Sequence, residues 1–182
     1  MKRKNLWAPW RIKYIQGLNS DMISADKDKS AGQSAECFIC SNLKKPDQDD
    51  RNFVLWRSGR CIVMLNRFPY NNGHLLIAPC RHIADFQQAS DEELLELNKL
   101  IRESQKALSA AIKPDGYNVG MNLGRCAGAG LPEHLHIHVV PRWDADTNFM
   151  PVCSDTKVIS QGLAELLKQL RQISTELNLP AL

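Results

Sequence analysis

A chain of 182 residues suits one domain with a sizeable core, and 43% hydrophobic with 24% charged residues is an ordinary globular balance. The formal net charge of +3, with no basic run, suits an anionic small molecule and argues against polynucleotide binding. No apolar run approaches the ~18 residues that cross a bilayer, and Met1-Lys2-Arg3-Lys4 precedes no apolar signal segment, so a cytoplasmic protein is expected.

Leu6-Trp7-Ala8-Pro9-Trp10-Arg11 places two tryptophans in a short basic segment, expected to pack on the body or on a partner subunit. From 19 to 36 the composition turns to Ser, Asp, Lys, Ala and Gly without periodicity and reads as a flexible loop. The chain is taken as a single domain, 1–182, with 1–36 as an N-terminal extension.

Cys37-Phe38-Ile39-Cys40 is a C-x-x-C pair. It is half of a zinc site, a redox pair, or two buried thiols. The polar stretch from 41 to 52 does not supply the βαβ context of a redox pair. A structural zinc needs two more ligands, and the chain has five histidines to provide them. In a cytosolic protein six cysteines serve as thiols or ligands and not as a disulfide framework. Cys61, Cys80, Cys126 and Cys153 lack a partner pattern.

Three strands are predicted at 53–56, 60–65 and 74–78, turned by Ser58-Gly59 and by Pro69-Tyr70-Asn71-Asn72-Gly73. Short connections favour antiparallel pairing. Ser90-Asp91-Glu92-Glu93 is a capping box, and the helix behind it carries Leu94, Leu97, Ile101, Leu108 and Ile112 on one stripe, stopping before Pro114. A further strand is predicted at 117–123, then a glycine-rich loop at 124–130. The segment 144–153 reads as irregular and 158–177 as an amphipathic helix.

Between the loop and that segment stands His134-Leu135-His136-Ile137-His138-Val139-Val140-Pro141-Arg142-Trp143. Period-two alternation is the strand signal. It sets the three histidines in a row on one face, roughly 6.5–7 Å apart, with Leu135, Ile137 and Val139 toward a core. Such a row binds metal, binds phosphate, or presents an activated nitrogen as nucleophile. The bland alternative is a sheet edge with incidental histidines.

Gly73-His74-Leu75-Leu76-Ile77-Ala78-Pro79, then His82, a helix, Asn118-Val119-Gly120-Met121-Asn122 and the histidine strand together resemble the histidine-triad (HIT) family. Within it, Trp-Ala-Pro-Trp-Arg, Asn66-Arg67-Phe68-Pro69-Tyr70-Asn71 and Val-Pro-Arg-Trp resemble the bacterial diadenosine tetraphosphate phosphorylases. The resemblance implies an α+β fold, a five-stranded antiparallel sheet with a long helix and a C-terminal helix packed on it, and a homodimer. It implies dinucleoside polyphosphate and inorganic phosphate as substrates, with His136 as nucleophile, His138 stabilising phosphoryl charge and His74 orienting the pair. Asn66 matches a ribose-contacting position. Asn122 and the backbone of Gly128, Ala129 and Gly130 are left to bind phosphate, because hydrolytic members typically carry a Gln-Ser pair where Gly130 and Leu131 stand. That departure favours phosphorolysis over hydrolysis. Cys37, Cys40, His82 and His134 match a closed structural zinc site of many bacterial relatives. Trp143 is read either as stacking on a second nucleotide or as packing the C-terminal loop. Two other classes stay open: a zinc hydrolase with His134 and His136 as ligands, and a non-catalytic nucleotide-binding protein.

Overall fold

Five short strands form one antiparallel sheet: β1 (Val54–Arg57), β2 (Cys61–Leu65), β3 (Leu75–Pro79), β4 (Gly116–Gly120) and β5 (Ile137–Arg142), in the order β1-β2-β3-β5-β4. The computed structural model describes residues 37–150, 153 and 158–182. The expected N-terminal extension, with its tryptophans and loop, lies outside the described residues. The helices are α1 (Phe38–Leu43), α2 (Asp91–Ile112) and α3 (Leu163–Glu176). Among the described residues no helix is long and apolar enough to cross a membrane.

Alternation divides the sheet into two faces. Val63, Leu65, Leu75, Ile77, Ile137 and Val139 pack against Leu97, Leu100 and Leu108 of α2 and Leu166 and Leu170 of α3. Ile62, Met64, Leu76 and Ala78 turn the other way, toward Ile39 of α1. His138 pairs with Leu76 across the ladder, so it belongs to the α1 face.

The early strands start one residue later than predicted. Phe53 has a φ of 55°, a left-handed conformation that cannot enter the ladder. The histidine strand differs more. Only His138 lies within β5, and Leu135 donates to Ile83 O at 2.6 Å outside the ladder. β4 ends at Gly120, opposite His138, and does not reach 123 because its partner ladder stops there. Met150 and Cys153 are helical within a stretch expected to be irregular, and α3 begins at Leu163 and not at 158, after an extended Gly162.

The capping box forms as predicted: Glu93 N–H donates to Ser90 Oγ at 3.3 Å and Ser90 N–H to the Glu93 carboxylate at 2.8 Å. The buried stripe of α2 is wider than predicted. Leu100, Glu103, Ser104 and Ala107 join Leu97 and Leu108, while Leu94, Ile101 and Ile112 are only half-buried. Glu103, fully buried, accepts from Arg102 Nε, Lys106 Nζ and Ala181 N–H, and so ties α2 to the chain's last residues.

Candidate active site and metal cluster

Cys37 caps α1 and Cys40 lies one turn along it, so the helix turns both thiols to one side. His82, beyond β3, and His134, in the bend before β5, meet them there. Cys37 Sγ is 3.2 Å and Cys40 Sγ 3.5 Å from His134 Nδ1, and Cys40 Sγ is 3.2 Å from His82 Nδ1. All four donor atoms lie within 4.8 Å of one another. These sulfur–nitrogen spacings approach the edge of a tetrahedron with metal–sulfur bonds of ~2.3 Å and metal–nitrogen bonds of ~2.0 Å, roughly 3.5 Å.

The tautomer agrees. His134 Nε2 is 2.9 Å from Pro79 O, a pure acceptor, so Nε2 carries the hydrogen and Nδ1 offers its lone pair to the cluster. Burial holds the His134 imidazole below its ordinary pKa, keeping it neutral as a ligand must be. The donor set therefore fits a four-coordinate metal and leaves no open position.

The remaining histidines do something else. His136 Nδ1 is 2.8 Å from the carbonyl of His134 and must donate to it, which leaves the His136 Nε2 lone pair free. His74 Nδ1 accepts from Tyr70 N–H at 3.1 Å and lies 3.3 Å from Asn66 Nδ2. A neutral His74 then carries its hydrogen on Nε2, and donates it to His138 Nδ1 at 2.9 Å. His138 in turn carries its hydrogen on Nε2, a buried atom with no partner. Burial, helped by the neighbouring imidazoles, pushes the pKa down to about 3 for His74 and about 4 for His138, so both are neutral at pH 7. The His136 and His138 rings are 5.0 Å apart. A free imidazole lone pair and an unpartnered N–H donor thus belong to adjacent rings.

Clefts open on both faces of this end of the sheet. One of ≈ 240 Å³ is lined by Tyr70, Asn118, Gly120, Asn122, His138 and Val140. Asn122 is thus brought to the histidines. The turn Gly128, which has a φ of 85°, and its neighbours Ala129 and Gly130 do not line this cleft. Asn66 is committed to its own loop, its Oδ1 accepting from Phe68 N–H at 3.0 Å and its amide nitrogen facing His74. Trp143 points away: its indole N–H donates to Lys113 O at the end of α2, at 3.1 Å, and it lines a separate ≈ 520 Å³ cleft with Asp144 and Asp146.

Sequence reasoning missed Tyr70, whose ring stacks on His138 with centroids 5.5 Å apart and tilts over His74 at 4.7 Å. It also missed Arg142, two strand steps past His138 on the same face. Period two continued to 142 was the available signal.

The HIT domain model matches residues 48–145. The chain belongs to the HIT family. This HIT protein is 35% identical over 162 residues to an AP-4-A phosphorylase of Mycobacterium tuberculosis, covering 89% of this chain and 80% of that one. A histidine triad nucleotide-binding protein of Sulfolobus tokodaii superposes with a TM-score of 0.64 at 26% identity, over 78% of this chain and 94% of that one. A zinc-bound HIT protein of Mycobacterium smegmatis does so at 0.64 and 22% identity, over 79% and 96%, and shows the shared fold. The chain is an enzyme of the histidine-triad type. The matched region takes in His82 and His134 but stops short of Cys37 and Cys40, so the two thiols meet their partners from outside it.

Proposed function

We propose that this HIT enzyme transfers a nucleotidyl group from a dinucleoside polyphosphate to inorganic phosphate through a covalent intermediate on His136. The observation that carries this reading is the tautomer chain: His136 Nε2 is left free by its bond to His134 O, beside the unpartnered N–H of His138. In the first step Nε2 attacks an α-phosphorus, a nitrogen–phosphorus bond forms, and the phosphorus–oxygen bond to the rest of the polyphosphate breaks with its electrons. His138 Nε2–H faces the charge that develops on the phosphoryl oxygens, and His74 holds His138 in the donating tautomer. In the second step a phosphate oxygen attacks the same phosphorus and the electron pair returns to Nε2. Similarity to the mycobacterial AP-4-A phosphorylase supports the substrate class. The absence of a Gln-Ser pair at Gly130 and Leu131 supports phosphate as acceptor.

Cys37, Cys40, His82 and His134 would hold a structural zinc that ties α1 to the ends of β3 and β5. A hydrolase using His134 and His136 on one catalytic metal has less support, because His134 faces the thiols while His136 Nδ1 is engaged by a carbonyl. Six cysteines with no disulfide between them support a reducing, cytoplasmic setting. Among the described residues β4 is an edge strand with Val119 exposed, which supports pairing of two copies.

The test supplies diadenosine tetraphosphate with phosphate and identifies products by chromatography. ADP together with ATP is expected. AMP with ATP would replace phosphorolysis by hydrolysis, and no cleavage of any dinucleotide would remove the reading.

A further inference from the structure

The cleft that holds His138 does not end at Val140. A second cleft of ≈ 250 Å³ shares Tyr70, Asn118 and Val140 with it and adds Asn71 and Arg142. Together they form one groove along β4 and β5 on the histidine face, from His138 to Arg142. Four residues of strand span about 13 Å. Among the described residues Arg142 is the only charged side chain lining the second cleft.

Its guanidinium is held in place before any ligand arrives. Nε and Nη2 donate to the Asp146 carboxylate at 2.6 and 3.0 Å, and Nη1 donates to Asn118 Oδ1 at 2.7 Å. Asp146 is fixed in turn by Asn71 Nδ2 at 2.8 Å and by Trp143 N–H at 3.3 Å. A guanidinium has five N–H donors, and these three bonds leave one on each terminal nitrogen. A planar fork restrained in this way loses little entropy on gripping a phosphate. Among the described residues the larger cleft on the helix side is lined by two carboxylates, Asp144 and Asp146, and by no cation, a poorer setting for a polyphosphate.

We propose that the groove from His138 to Arg142 is the leaving-group subsite, in which Arg142 grips the phosphate chain that departs when His136 is nucleotidylated. This rests on the nucleotidyl-transfer reading above and adds the element that selects for a long anionic leaving group. Tyr70, 57% exposed and stacked over His138, roofs the groove at its catalytic end. A substrate whose leaving group is short and uncharged does not reach Arg142.

The experiment compares kcat/KM for diadenosine tetraphosphate and for adenosine 5′-phosphoramidate, which share the transferred adenylyl group. Loss of a charge-assisted phosphate contact lowers the tetraphosphate-to-phosphoramidate ratio by about tenfold or more in Arg142→Gln, mostly through KM, and Arg142→Lys recovers part of it. An unchanged ratio, with both substrates falling together or neither falling, overturns the proposal. Calorimetric binding of inorganic tripolyphosphate to wild type and Arg142→Gln, at matched melting temperatures, reads the groove without turnover. Weakening of about tenfold is expected, and equal affinity overturns the subsite. If wild type cleaves neither substrate yet binds tripolyphosphate through Arg142, the transfer reading fails and the anion groove stands.

Discussion

Two clusters grow from one short stretch of chain, and they use the same side chain in opposite ways. In the metal cluster, His134 spends its Nε2 hydrogen on Pro79 O and turns a lone pair toward two thiols and His82. In the histidine cluster two residues on, His136 spends its Nδ1 hydrogen on the His134 carbonyl and turns its Nε2 lone pair outward. The difference lies in which ring nitrogen the backbone claims. It also joins the clusters, because the residue that would ligate metal supplies the carbonyl that orients the proposed nucleophile. A closed four-ligand shell suits a fixed anchor, while an unpartnered donor beside a free lone pair suits chemistry.

The largest effect that separates the two is His136→Asn. Turnover should fall about 10⁴-fold or more, with one metal per chain retained by elemental analysis. Loss of metal in step with activity would fuse the clusters into one catalytic metal site. Next comes Cys37→Ser, which should lose the metal and lower Tm by about 10 °C or more, because metal binding is also folding free energy. Its turnover at low temperature should fall less than about tenfold. Purified protein without metal under reducing conditions would end the zinc assignment.

Acid sharpens the contrast from the histidine side. His74 titrates near 3 when folded, held down by burial and then by His138 and His136, against ~6.5 when unfolded. Between those values the unfolded chain binds a proton that the native chain does not. Stability therefore rises with pH across this window and is lost as pH falls through it, by an amount of order a few kcal/mol. Urea melts of His74→Gln should show a shallower acid limb than wild type, and superimposable limbs would exclude His74 as the group responsible. The smallest effect is at Gly73, the hinge before His74. Its φ is +75°, and an added Cβ would lie 2.6 Å from Ile112 Cδ1 and 3.0 Å from Leu108 Cδ2. Gly73→Ala should destabilise by about 1–3 kcal/mol, read as a lower urea midpoint at unchanged slope.

How much of this could be read in advance varies by element. The capping box and the stop at Pro114 were legible because caps and proline act through local backbone hydrogen bonds. The five strands were legible to within a few residues, since alternation reports which face is buried. The deeper stripe of α2 was not, because Glu103 is buried only once two neighbouring cations and Ala181 N–H close around its carboxylate. Trp143, left open between stacking and packing, donates to Lys113 O on the helix side of the sheet, and Tyr70 takes the stacked place over His138.

By itself the sequence determined that a strand would run through His138, although not that it would stop short of His134 and His136, and that a C-x-x-C pair holding a metal would need two more ligands. Both follow from chain geometry within a few residues. Which histidine joined the thiols, which kept a free nitrogen, and where Arg142 found its carboxylate were decided only by the tertiary structure. Pro79 O reaches His134 from a distant strand, while the His134 carbonyl and the Asp146 carboxylate, near their partners in sequence, are aimed by the bend before β5 and by Asn71. Hydrogen bonds act over about 3 Å and need a defined direction, so even a neighbour in sequence becomes the acceptor only once the packed fold fixes the local backbone.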